Sequence, residues 1–131
     1  MNLYDTLRER VRSAAEELAL PLGWEGEAFV PPHAPHLRAQ IVFTDCRQAT
    51  LGAHGLTRTD GRVEIRVVTG AGEDSRASAL ADRVALLFPR GTDISFDDGT
   101  ATLATPRKGA PAGDGTRTEA VVNLTFYAFQ G

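Results

Sequence analysis

Apolar residues recur every three to four positions at the start of the chain: Leu3, Leu7, Val11, Ala14 and Leu18, with Arg8, Glu9, Arg12, Ser13 and Glu16 turned away from them. That period predicts an amphipathic helix over residues 2 to about 20. Asn2 is placed to cap its first turn, Asp5 sits near its positive end, and Pro21 stops it. The same period returns in Ala77, Leu80, Ala81, Val84, Leu87 and Phe88, after the break Gly70-Ala71-Gly72. Glu73, Asp74 and Ser75 suit the first turn of this second helix, and Pro89 and Gly91 end it.

Elsewhere the period shortens to two. Leu37, Ala39, Ile41 and Phe43 alternate with Arg38, Gln40 and Val42, which predicts a strand over 37–43. Val63, Ile65 and Val67 alternate with Arg62, Glu64 and Arg66 in a second strand. Asp60-Gly61 reads as a tight turn or, better, as a bulge inside a strand that begins near Thr57. Between the two strands, Thr44 to about Leu56 reads as a polar loop. Ile94 and Phe96 lead to the turn Asp97-Asp98-Gly99 and a strand over Thr100 to Thr105. Arg117 to Phe129 is the longest strand candidate. Two segments carry no such rhythm. Residues 21–36 hold Pro21, Pro31, Pro32 and Pro35 and predict an irregular connector, pinned to the core by Trp24, Phe29 and Val30. Residues 106–116, rich in Gly, Ala and Pro, predict a mobile loop. The order gives one α+β domain over 1–131, with two helices packed on one face of a mostly antiparallel four- to five-stranded sheet.

Composition narrows the function more than the fold. A hydrophobic fraction of 42% and a charged fraction of 24% belong to a chain that buries a core, which excludes disorder as the main state. A net charge of −3 disfavours sequence-specific nucleic-acid binding. No apolar run is long enough for a membrane span, and no basic head with an apolar run marks a signal peptide. The single cysteine, Cys46, excludes an internal disulfide and a cysteine-based zinc site.

Candidate chemistry is sparse. His33, His36, His54, Asp45 and Cys46 lack the paired, regular spacing of a metal site, and read as surface or loop residues. Gly70-x-Gly72 precedes a helix as a dinucleotide loop does, but Glu73 and Asp74 put negative charge where a phosphate would sit. No nucleophile elbow occurs. Cys46 with His54 is possible only in three dimensions, and a lone cysteine reads as inert packing, while Asp97 with Asp98 reads as a turn. No catalytic, cofactor-binding or metal residue is assigned.

The last strand says most. Ala120, Val122, Leu124, Phe126 and Ala128 form one apolar face, while Val121, Asn123, Thr125, Tyr127 and Phe129 make the other only half polar. With helices on the first face, Val121, Tyr127 and Phe129 are left either to a partner subunit or to the Trp24–Val30 connector folding over them.

The chain resembles the small tail-terminator-like proteins of tailed bacteriophages, prophages and gene-transfer particles. The resemblance runs through the opening helix from Tyr4 to Leu18, Phe29-Val-Pro-Pro with Pro35-His-Leu-Arg, and Arg47-Gln-Ala-Thr-Leu-Gly52 with Arg58 and Gly61. It ends with Phe88-Pro-Arg-Gly-Thr92. It implies a structural virion protein without enzymatic activity or cofactor. Such a protein assembles in the host bacterial cytoplasm as a homo-oligomeric ring, typically a hexamer, on the tail end. There it halts polymerisation of the tail tube protein and meets a head-tail connector or neck protein. Arg47, Gln48, His54 and Arg58 in the first loop, with Arg107 and Lys108 in the second, are the expected polar contacts. Val121, Tyr127 and Phe129 are the expected subunit contacts. A neck or head-closure component is the alternative within the virion; a bacterial small-molecule-binding dimer is the alternative outside it.

Overall fold

The computed structural model describes residues 1–33, 35–48 and 56–131. Its first helix, α1 (Leu3–Leu18), begins where Asn2 accepts the Asp5 amide on its side-chain oxygen at 2.8 Å. It ends before the proline does its work. Ala19 takes the left-handed conformation at φ 55, and the Leu20 amide reaches back to the Ala15 carbonyl at 3.0 Å. A side chain with a Cβ is strained there, so Ala19→Gly raises stability by about 1 kcal/mol, measured by urea denaturation. The second helix, α2 (Asp74–Leu86), lacks a side-chain cap at Glu73; instead the Thr118 hydroxyl donates to Asp74 at 3.4 Å and ties its start to the sheet.

The strands are β1 (Leu22–Trp24), β2 (His36–Gln48), β3 (Thr57–Gly70), β4 (Asp93–Phe96), β5 (Gly99–Leu103), β6 (Arg107–Lys108), β7 (Ala112–Gly113) and β8 (Arg117–Gln130). They lie in one sheet ordered β1-β2-β3-β8-β5-β4, with β6 and β7 also paired to β8. Among the described residues, only β1 and β2 run parallel. The expected α+β class and the mostly antiparallel sheet hold. The strand count of four to five does not: eight strands form it.

Four expectations are corrected. The connector 21–36 contains β1, whose residues Leu22–Trp24 pair with Leu37–Ala39. The polar loop is shorter than expected, because β2 continues to Gln48. The bulge lies there too: Phe43 pairs with Gly61 and Asp45 with Asp60, so the extra residue is Thr44 in β2, while β3 runs unbroken from Thr57 against β8. The segment 106–116 is not a free loop. It returns along β8 in steps, Leu103 opposite Phe126, Lys108 opposite Val122 and Gly113 opposite Thr118. Each step slips the register by one residue, and Pro106 and Pro111 sit in the breaks, where an edge strand tolerates a missing donor. At its far end Asp114 accepts from the Thr116 side chain and the Thr116 and Arg117 amides, which hold its pKa down at about 2.

The core lies between helices and sheet. Leu7, Val11, Ala14 and Ala15 of α1 and Ala77, Ala81 and Val84 of α2 are buried. Facing them are Leu37, Ala39, Val63, Ile65, Val67, Ala101 and Leu103, with the expected apolar row Ala120, Val122, Leu124, Phe126 and Ala128. Gly61 is required by this packing, since a Cβ there would stand 2.6 Å from Cζ of Phe126.

Candidate assembly surface

With both helices on one side, the other side of the sheet has no helix over it among the described residues. Strand alternation sends Arg38, Gln40 and Val42 of β2, Arg62, Glu64 and Arg66 of β3, and the odd-numbered positions 121–129 of β8 to that face. After the bulge at Thr44, Asp45 and Arg47 take over the same side, opposite Asp60 and Arg58. Two rows then cross five strands: Asp45, Asp60, Tyr127, Thr102, Asp93, and Arg47, Arg58, Phe129, Thr100, Ser95.

Arg58 organises the aromatic end of this face. Its guanidinium stands 5.1 Å from the Tyr127 ring centre and 5.7 Å from that of Phe129. Nη2 donates to the Asp60 carboxylate at 2.9 Å, and that bond raises the Arg58 pKa above its ordinary value. The Tyr127 and Phe129 rings meet edge to face at 6.0 Å. Arg47 reaches Asp45 at 3.1 Å and remains exposed. Tyr127 keeps 37% of its surface in water, while Phe129 is half-buried. A cation held over one exposed and one half-buried ring, with its carboxylate beside it, is the composition of an interface centre.

The other expected residues divide. Val121 lies on the same face, half-buried, but eight residues from Phe129 along β8, or roughly 26 Å. Arg107 pairs in register with Asn123 and, with Arg90, Ala104, Thr105 and Thr125, lines an open groove of about 470 Å³. Lys108 turns the other way. Its ammonium pairs with Asp82 of α2 at 2.6 Å and donates to the Ser78 hydroxyl at 3.0 Å. Gln48 ends β2 opposite Thr57, and His54 lies outside the described residues. Arg47, Gln48 and Arg58 therefore belong to strands, and Arg107 and Lys108 to β6, not to the loops expected of them. Sequence reasoning missed Asp45 and Asp60, although Asp45-Cys-Arg47 and Arg58-Thr-Asp60 each put opposite charges two apart, hence on one face of a strand.

The connector does not reach this patch. Phe29 packs over Gly23, where no Cβ fits, with Arg38 5.0 Å above its ring, and Glu25 pairs with Arg38 and Arg66 at 3.7 and 3.6 Å, so the connector covers the opposite end of the face, where Val68 is buried. Trp24 lies on the helical side under Arg8 at 4.7 Å, and Val30, expected to be pinned, is 90% exposed. His36 is buried at the start of β2 against Phe29, while His33 is exposed. Among the described residues, no three His, Cys, Asp or Glu side chains group as metal ligands, and no helix is long and apolar enough to cross a membrane.

A family model described as phage tail terminator protein matches residues 2–126. A solved structure superposes with a TM-score of 0.71 at 22% identity, over 98% of this chain and 96% of the other, a likeness of fold. No curated protein matches the chain.

Proposed function

Because this chain belongs to the phage tail terminator protein family, we propose that its copies close into a hexameric ring on the end of a finished tail tube. The ring stops tube growth and offers the joining surface for a head-side connector or neck protein. The chain itself is a structural protein of the phage tail and not an enzyme.

One observation carries the reading beyond the family: the end of the sheet face where, among the described residues, neither helix nor connector lies over Tyr127 and Phe129, gathered under Arg58. Apolar surface of this kind gains about 25 cal/mol for each Å² removed from water, so burial against another protein is favourable. A ring needs two different, complementary patches on every copy. Arg47, Gln48, His54, Arg58, Arg107, Val121, Tyr127 and Phe129 supply contacts to copies and to the tube protein. Lys108 is better assigned to holding β6 on α2. Assembly takes place in the host bacterial cytoplasm, before the tail joins the head.

The test is to add the purified protein to polymerising tail tube protein and measure tube lengths by electron microscopy. Lengths that stop increasing, with a ring at the closed end, are the expected result. Unchanged growth, with the protein binding only to heads, would instead make it a neck component.

A further inference from the structure

We propose that neighbouring copies join edge to edge, the free flank of β2 in one copy running parallel to the free flank of β4 in the next, so that one sheet continues around the ring. This rests on the ring reading above and names what holds the ring together.

The sheet leaves two usable edges. β1 covers β2 only along Leu37–Ala39, so from Ile41 to Gln48 no strand lies beside it among the described residues. β4 is paired on its β5 side alone. Neither stretch contains proline or glycine. The remaining margins are blunted, because β1 has three residues and the β6–β7 margin is broken at Pro106 and Pro111. Folded chains protect edges that must stay unpaired; past the bulge at Thr44, the 45–48 flank of β2 and the flank of β4 have no proline, glycine or covering strand among the described residues.

Their placement fits a ring. Both lie at the same end of the sheet, joined flank to flank by the row Arg47, Arg58, Phe129, Thr100, Ser95. Four antiparallel steps separate β2 from β4, so the two run in the same direction. Rotation about an axis along the strands preserves that direction, so the meeting edges pair as parallel strands.

The amides and charges agree. The Thr92 carbonyl accepts the Leu103 amide at 2.9 Å and so faces β5; by alternation the Ser95 amide faces away from it. Asp97, of the same parity, also turns its amide outward and donates it to the Met1 carbonyl at 2.8 Å, so the N-terminus holds the end of this flank beyond Phe96 and the Asp93 and Ser95 positions remain for a partner. The Asp93 carboxylate accepts the Thr102 hydroxyl at 2.7 Å but has no cation among the described residues. Arg47 stands exposed on the same face at the opposite flank. Two copies brought together set that carboxylate near that guanidinium.

Ser95→Pro removes one outward amide and leaves the β4–β5 ladder intact. Native mass spectrometry and sedimentation of wild type and variant, alone and on tube ends, read the outcome. Rings in the wild type and folded monomers in Ser95→Pro are expected. Rings in both would overturn the edge pairing and leave the ring reading standing; a wild type that never forms rings would overturn both. A second measurement does not depend on how the proline variant folds. With Cys46→Ser as background, Arg47→Cys combined with either Asp93→Cys or Ser95→Cys is oxidised in the assembled state. A disulfide ladder extending beyond dimer from one of the combinations, absent from each single-cysteine control, is expected, and no ladder from assembled rings would overturn the proposal.

Discussion

Arg58→Glu stays folded and loses at least roughly 30-fold in tube termination, as read by tube lengths. The guanidinium touches the Asp60 carboxylate and the faces of Tyr127 and Phe129, all on the uncovered side of the sheet. Reversal places a carboxylate beside Asp60 and across the strand pair from Arg47. Inside the monomer, water and Arg47 screen the new charge, so the melting temperature moves by no more than about 5 °C. In an assembled interface the carboxylate is desolvated over the negative faces of two rings, and nothing offsets it. Assembly at wild-type strength by this variant would remove the aromatic end of the face from the interface.

The second large effect is on the fold. Phe126→Ala lowers stability by roughly 3 to 5 kcal/mol, measured by urea denaturation. Phe126 is 1% exposed and meets Phe43 edge to face at 6.1 Å. Its ring also fills the space over Gly61, where β3 passes the bulge of β2. Tyr127, one residue on, points to the opposite face, so the chain separates stability from assembly at adjacent positions.

Side-chain rhythm explains how much of this was legible. Both helices, β3 and β8 came from repeating apolar positions, because burial on one side imposes the period. The uncovered face was legible for the same reason: once helices claim one row of β8, Tyr127 and Phe129 belong to the other. Backbone pairing leaves no such trace. β6 and β7 are held to β8 through amides and carbonyls of Arg, Lys, Ala and Gly, which in sequence look like a loop. β1 is three residues long and lies beside Pro21. β2 reads as ending at Phe43 because Thr44 is the bulge, after which inward and outward positions exchange. That exchange puts Asp45 and Arg47 in the rows with Asp60 and Arg58, and only the register reveals it.

Hydroxyl-radical footprinting of Tyr127 and Phe129 tests the central claim most directly, comparing the free protein with the protein bound at tail tube ends. Strong protection of both rings on binding, with the exposed Leu86 of α2 labelled equally in both states, is the predicted result. Equal labelling of Tyr127 and Phe129 in the two states would contradict it.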